Sequence, residues 1–278
     1  MNNKHVYVIA VTIAIILAVA LIERCNGARN DNEHSAIAKT QNHPYGDLLK
    51  VRHPAQKNSI FREYNGFELL FNPENHTPDY VAWELLESET DGPGKRSNAF
   101  WKDETLKGCP ASSDYSRSGY DRGHLCPAAD MKWDNDAMRE CFVMSNMAPQ
   151  DHSLNAYAWA SLENKCRQWA RRDSALIIVA GPVYEASDTK RIGNEGVRVP
   201  SAFFKVILAP YLTSPRAIGF IYPNTPAPGK MENYAMSVRD VENITGLDFF
   251  YNLPDSLENS IETSLPLKEW FHAISSRP

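Results

Sequence analysis

The chain has 278 residues, 43% hydrophobic and 23% charged, with a formal net charge of -5 at pH 7. That composition excludes a disordered polyelectrolyte and supports one folded domain of roughly 220 residues with an N-terminal appendage. The acidic balance excludes a sequence-independent nucleic-acid coating protein, which would be basic, so attraction to any polyanion must come from a local patch or a metal ion.

At the N-terminus, Lys4 and His5 precede an uncharged run, residues 6–22, which Glu23 and Arg24 close. The run sits at the short limit for crossing a bilayer and is long for the apolar part of a signal peptide, and Ala18-Val19-Ala20 offers a small-x-small cleavage site. Residues 1–25 are therefore expected to be a signal peptide or a retained transmembrane anchor. Either places the remainder outside the cytoplasm, membrane-anchored and facing outward, or periplasmic or secreted after cleavage. Residues 26–58 are polar, with scattered His34, His43 and His53, and read as a solvated linker. Residues 59–278 are expected to form the domain.

Within it, residues 66–73 and 79–86 are short aromatic-rich runs bounded by Asn and Pro, which predicts two strands as a hairpin or near neighbours. Residues 91–98 form a loop whose tip carries Lys95 and Arg96, and Arg96 is a candidate phosphate contact. Then comes Tyr120-Asp121-Arg122-Gly123-His124-Leu125-Cys126-Pro127, followed by a brief strand at 142–144 and by Met144-Ser145-Asn146-Met147-Ala148-Pro149-Gln150. Residues 155–172 have helical composition, with apolar Trp159, Leu162, Cys166 and Trp169 on one stripe. At 100° per residue, Glu163 falls about 80° and Arg167 about 120° around that helix from Asn155, so the three can border a cleft. Strands follow at 175–184, 202–209 and 216–222, then a helix at 234–242 that Gly246 ends soon after. Strands outnumber helices and do not alternate with them, which gives an α+β class with a largely antiparallel central sheet flanked by helices.

The residue inventory between Tyr120 and Arg167 suits phosphodiester hydrolysis, which needs a base for water, charge neutralisation at the phosphate and a proton for the leaving oxygen. His124 is the candidate base, because its ordinary pKa lies near neutrality. Asn155 offers a neutral hard oxygen to Mg2+, an ion that keeps several waters; one of these can protonate the leaving group. Glu163 can hold such a water, Arg122 and Arg167 can fork onto phosphate oxygens, and Asn146 can fix the His124 imidazole through its side chain or carbonyl. Asp121 reads as structural, bonding backbone or a nearby arginine. Taken singly, each residue has a plainer reading as an ion pair, a helix cap or a solvated side chain; their joint occurrence carries the chemistry.

The blocks Asp121-Arg122-Gly123-His124, Ser145-Asn146-Met147-Ala148-Pro149-Gln150, Leu154-Asn155, Trp159 and Leu162-Glu163 closely resemble the DNA/RNA non-specific endonuclease family, that of the Serratia nuclease and endonuclease G. The resemblance implies a ββα-metal nuclease core, with His124 as general base and Asn155 as the direct Mg2+ ligand, Mn2+ being a substitute. It further implies that Arg122, Arg96 and Arg167 stabilise the transition state, that Glu163 binds a metal water and that Asn146 supports the site. The expected function is an exported or membrane-anchored, Mg-dependent, sugar-non-specific endonuclease. Its expected partners are DNA and RNA substrates, the membrane through an uncleaved N-terminal segment, and a second copy of the chain in a homodimer. Two rivals stand beside it: a membrane-tethered nucleic-acid-binding protein without turnover, and a hydrolase using Cys126 as nucleophile. Cys25, Cys109, Cys126, Cys141 and Cys166 show no C-x-x-C pattern, and export would permit disulfides whose pairing the sequence leaves open.

Overall fold

A computed structural model of the chain describes residues 47–53 and 58–272. The expected signal or anchor at 1–25 and most of the linker lie outside the described residues. The chain divides into the units Met1–Gly46 and Asp47–Pro278, and the second is the folded domain. It is already held to the domain before residue 59. Leu48 is buried, the Lys50 ammonium lies 3.0 Å from Glu68, and Arg52 and Asp248 exchange backbone hydrogen bonds.

In chain order, β1 (Ile60–Glu63), β2 (Glu68–Asn72) and β3 (Thr77–Leu86) form an antiparallel meander. After a long irregular stretch come β4 (Asp121–His124), α1 (Asn135–Glu140), capped by Asp134, and β5 (Met147–Gln150). A π-helical turn, Leu154–Trp159, runs into α2 (Ala160–Asp173). The remaining strands are β6 (Ala175–Val183), the short hairpin β7 (Arg191–Ile192) and β8 (Val197–Arg198), β9 (Ala202–Ala209), β10 (Arg216–Pro223) and β11 (Ala235–Met236). Helices α3 (Val238–Thr245), α4 (Asp255–Glu262) and α5 (Leu267–Phe271) complete the domain.

The main sheet has the order β1-β2-β3-β6-β9-β10-β11, and every neighbouring pair is antiparallel. The α+β expectation holds. β6 is buried at all nine positions because helices cover both faces of the sheet. On one face Phe220 stacks on Trp169 of α2, with Trp270 of α5 packed 4.7 Å away. On the other, a Cβ at Gly219 would come within 2.5 Å of Val241 in α3, so that helix lies close enough to require glycine. A two-faced cover explains why these strands read as continuous apolar runs without alternation.

Three boundaries differ from expectation. The strand expected at 142–144 forms instead at Met147–Gln150, after a 3-10 turn at Met144–Asn146. The helix expected from 155 starts with the π-helical turn, so ideal 100° angles do not carry from Asn155 to Glu163. The helix expected at 234–242 begins at Val238, because Ala235 and Met236 pair with β10; Ser237 caps its start and Gly246, at φ 72°, its end.

Between α3 and α4, Glu262 is fully buried; Arg239 donates to its Oε2 at 2.7 Å while Oε1 has no partner. Burial pushes its carboxyl up to about 8, with Glu242 and Glu258 adding to the rise and Arg239 opposing it. A raised carboxyl stabilises the fold fully below its ordinary value of 4.5, and that stability is lost as pH rises through about 8. Glu262→Gln mimics the protonated acid, so its melting temperature should gain on wild type between pH 5 and 8 and then level off. Parallel pH curves for the two proteins would show that Glu262 is ionised in the fold.

Candidate active site

The site is built on a two-stranded ribbon, β4 against β5, with Asp121 opposite Gln150, Arg122 opposite Pro149, Gly123 opposite Ala148 and His124 opposite Met147. Gly123 makes the pairing possible: a Cβ there would lie 2.6 Å from the Gln150 Cβ and 3.0 Å from the Ala148 carbonyl oxygen. Asn146, wholly buried, secures the exit of β4. Its Oδ1 accepts from the Cys126 N–H at 3.0 Å, its Nδ2 donates to the carbonyls of Cys126 and Cys141, and its carbonyl accepts from the Leu125 N–H. The expectation that Asn146 fixes the imidazole is thereby corrected. It ties the backbone just beyond His124, at Leu125 and Cys126, to the Cys141 carbonyl, and its side-chain oxygen and nitrogen are both engaged in doing so.

His124 is 8% exposed and sits in an aromatic cluster, its ring 5.6 Å from Phe100 and 5.0 Å from Phe142, which are themselves 5.2 Å apart. An arginine caps each of these rings. Arg122 lies 5.3 Å over Phe100 and Arg96 lies 5.3 Å over Phe142. A ring face at this distance attracts a guanidinium without neutralising its charge. The Nε and Nη2 of Arg122 are further held on the Ser112 carbonyl at 3.2 and 2.6 Å, and exposed Arg96 is tied to Asn98 at 2.8 Å. Burial, with the charge of Arg96 assisting, lowers the His124 pKa to about 3; a hydrogen bond to the Arg122 backbone opposes that fall. The imidazole is therefore neutral at pH 7, and its buried Nε2 has no partner within the described residues.

Asn155 is tied to the same strand as His124. Its Nδ2 donates to Asp121 Oδ2 at 2.8 Å. A carboxylate can only accept, so this bond fixes which way the amide faces and reserves Oδ1 as the acceptor. Asp121 Oδ2 also meets His152 Nδ1 at 2.9 Å. The expected role of Asp121, bonding backbone or an arginine, is corrected: it orients the candidate metal ligand. The turn before Asn155 is held by Asp151, which accepts from the Ser153 and Leu154 N–H groups. Buried Asn224 holds it from outside through Asp151 N and the Pro149 carbonyl. A π-helical turn at this position inserts an extra residue into the helix, a feature that recurs at functional sites.

Beneath these groups lies a buried charged layer. Arg167 donates to Asp130 at 2.6 Å and to Asn164, and Asp130 also accepts from the Trp83 indole at 3.1 Å. The expectation that Arg167 forks onto phosphate is corrected, because its guanidinium is buried and committed to Asp130. Lys205, fully buried, stands 4.9 Å over Trp83 and 4.5 Å over Trp159, and its ammonium has no hydrogen-bond partner. Glu163 is half-buried; burial raises its carboxyl to about 7, while the positive charges of Lys205, Arg167 and Arg96 oppose the rise and Asp130 adds to it. Glu163 thus shares this electrostatic neighbourhood. Lys205, Asp130 and Phe100 carried no motif by which sequence reading could single them out.

Cys109, Cys126, Cys141 and Cys166 are free and buried. Burial raises the Cys126 thiol well above its ordinary value, which removes it as a nucleophile.

Residues 45–256 match the family model of the DNA/RNA non-specific endonuclease. The chain is 32% identical over 241 residues to "Nuclease 1, mitochondrial" of Schizosaccharomyces pombe, covering 78% of this chain and 75% of that one. It is 34% identical over 209 residues to "Nuclease EXOG, mitochondrial" of Xenopus laevis, covering 69% of this chain but 58% of the relative's length. A Nostoc nuclease is 34% identical over 222 residues, with coverage of 72% and 77%. The structure matches a chain of the crystallised EndoG/EndoGI complex with a TM-score of 0.68 and 26% identity, covering 77% of this chain and 91% of that chain. The expected exported or membrane-anchored location is overturned by these relatives, several of which are mitochondrial by name. Among the described residues no helix is long and apolar enough to cross a membrane, and the apolar run at 6–22 lies outside them.

Arg167→Met should destabilise the fold by about 3–5 kcal/mol in urea unfolding, because it strips the partner from buried Asp130. An unchanged midpoint with lost turnover would return Arg167 to the substrate side.

Proposed function

The chain belongs to the DNA/RNA non-specific endonuclease family and is a nuclease, and from that premise we propose that it hydrolyses DNA and RNA internally at the His124 and Asn155 site with a divalent metal. The observation that carries this reading is the β4 strand itself: it packs His124 against two arginine-capped rings, and one residue before Arg122 its Asp121 carboxylate orients the Asn155 amide.

The residues suit the metal the family resemblance implies. Among the described residues no group of three or more His, Cys, Asp or Glu could cage an ion. A single oriented amide oxygen is instead the donor set for Mg2+, which retains most of its waters, with Mn2+ able to substitute. Asn155 Oδ1 would bind the ion directly and Glu163 would hold its waters. When bound, the cation supplies positive charge to the phosphate and acidity to its own waters.

The protein supplies the rest. Neutral His124 accepts a proton from the attacking water at Nε2, the ring nitrogen that no protein group occupies. Arg122 and Arg96, held over Phe100 and Phe142, neutralise charge on the phosphate oxygens. Asn146 is a positioning residue, holding the backbone that follows His124. No group in this set reads a base edge or a sugar, which is consistent with breakdown of DNA and RNA alike.

Digestion of plasmid DNA and of RNA under Mg2+, Mn2+ and EDTA tests the reading. Both substrates should be cut internally with either metal, and EDTA should abolish cutting. His124→Ala should lower turnover by about 10²-fold or more with nucleic-acid binding kept; an undiminished rate would remove it as the base. Asn155→Ala should weaken Mg2+ activation together with turnover, and a normal Mg2+ titration would refute the ligand assignment.

A further inference from the structure

An acidic chain that acts on a polyanion must concentrate positive charge locally. Outside the groups described so far, a cleft of about 390 Å³ lies between the turn at 112–118 and the β7–β8 hairpin. Its lining includes Ser113, Ser116, Arg117, Lys190, Arg191 and Asn194. The walls are firmly built. The carboxylate of buried Asp114 accepts from the N–H groups of Ala111, Asn194 and Glu195, at 2.8, 2.8 and 3.2 Å. A Cβ at Gly193 would stand 2.3 Å from the Asp114 Cβ, so the hairpin tip is docked directly on the turn. Asp114 itself borders the cleft, but those bonds occupy its carboxylate with backbone donors, and Ser113, Ser116, Ser118, Arg117, Lys190 and Arg191 line the cleft beside it. Glu195, next to the lining residue Asn194, lies 3.8 Å from the Lys102 ammonium.

Arg117 is exposed and holds a left-handed backbone conformation, φ 57°, that few residues other than glycine adopt. Among the described residues no hydrogen bond or ion pair engages its guanidinium. Exposed Lys190 lies 4.6 Å over the Tyr120 ring and donates to its hydroxyl at 3.0 Å. Arg191 is partly committed, donating to the carbonyls of Glu74 and Gly196. The cleft also shares a wall with the candidate active site. Arg122 is anchored on the carbonyl of Ser112 and reaches Ser116 Oγ at 3.4 Å, both in the same turn, and Tyr120 immediately precedes Asp121.

We propose that this cleft is a phosphate subsite for the nucleic-acid strand beyond the scissile bond, with Arg117 and Lys190 pairing with backbone phosphates and the hydroxyls of Ser113 and Ser116 donating to them. The proposal rests on the nuclease reading of the His124 site and adds to it a place where the substrate is held. Contacts of this kind bring affinity without sequence preference and make binding salt-dependent.

The test compares His124→Ala with the triple variant His124→Ala, Arg117→Gln, Lys190→Gln by fluorescence anisotropy on a labelled duplex of about 20 base pairs, over about 50–200 mM salt. Affinity should fall about tenfold, and the slope of log K against log salt should become shallower by about 2, one for each phosphate contact removed. In the otherwise wild-type enzyme, Arg117→Gln with Lys190→Gln should raise KM on long duplex and leave kcat at saturation unchanged. A phosphodiester of two nucleotides, too short to enter the cleft, should be cut at the wild-type rate. Tyr120→Phe removes the hydroxyl that Lys190 holds and should leave affinity and slope unchanged; a loss equal to that of the double variant would show that Lys190 acts through Tyr120 and would overturn its phosphate contact. Unaltered affinity and slope in the triple variant would overturn the subsite while wild-type cleavage still upheld the nuclease reading. A wild-type protein that cuts no nucleic acid would instead sink that reading itself.

Discussion

The pairing of β4 with β5 is the constraint on which the site depends. It sets the strand carrying Asp121, Arg122 and His124 beside the strand that leads into the turn bearing Asn155, with Gly123 admitting the close approach of Gln150. Two ties then lock the ends of the ribbon. Asn146 grips the backbone at Cys126, and Asp121 grips the Asn155 side chain. A shift of one residue in this register would reverse the side of every β4 side chain and separate Arg122 and His124 from Phe100. The short strand therefore has to be held more firmly than its four residues could manage alone.

That firmness comes from the sheet behind it. Trp83 of β3, Lys205 of β9 and Trp159 of the π-helical turn form one stack, and Trp83 also donates to Asp130, the partner of Arg167. This layer links the central strands to the helix that carries Glu163. Arg167, Lys205 and Asp130 are sequestered from water, with Asp130 compensating the cations, at the cost of burying all three. An apolar layer could fill the same volume, but it would place no positive charge beneath Glu163. The layer thus connects packing with the electrostatics of the site.

Much of this was legible in the sequence, for identifiable reasons. Residues 202–209 read as a strand because a run that is apolar at every position but Lys205 is what a strand covered on both faces needs, and β9 spans those residues. The blocks around His124, Asn146 and Asn155 were legible because their residue types are unusual for packing. The role of Asp121 was not, since its partners His152 and Asn155 lie 31 and 34 positions away. Arg167 was misread because a helical angle says which way a side chain leaves its helix, and says nothing of Asp130 waiting on another element. Lys205 is hidden inside an apolar strand, where a single lysine carries no pattern. The apolar run at 6–22 pointed to export, whereas several relatives alike across the domain are mitochondrial by name; such a run tells of hydrophobicity and not of location.

The two arginine-capped phenylalanines show how an acidic protein can still serve a phosphate. Long-range attraction at a net charge of -5 is weak, and salt screens it within about 10 Å. What matters is charge held at contact distance, and an aromatic face provides that without neutralising the guanidinium as a carboxylate would. Arg122 and Arg96 are held in this way, each over one of the two rings that pack on an imidazole kept neutral by burial. The same rings that bury His124 also lie beneath the two cations. Removing either ring would therefore disturb the base and one arginine together, so the base and its charge clamp form a single mechanical unit.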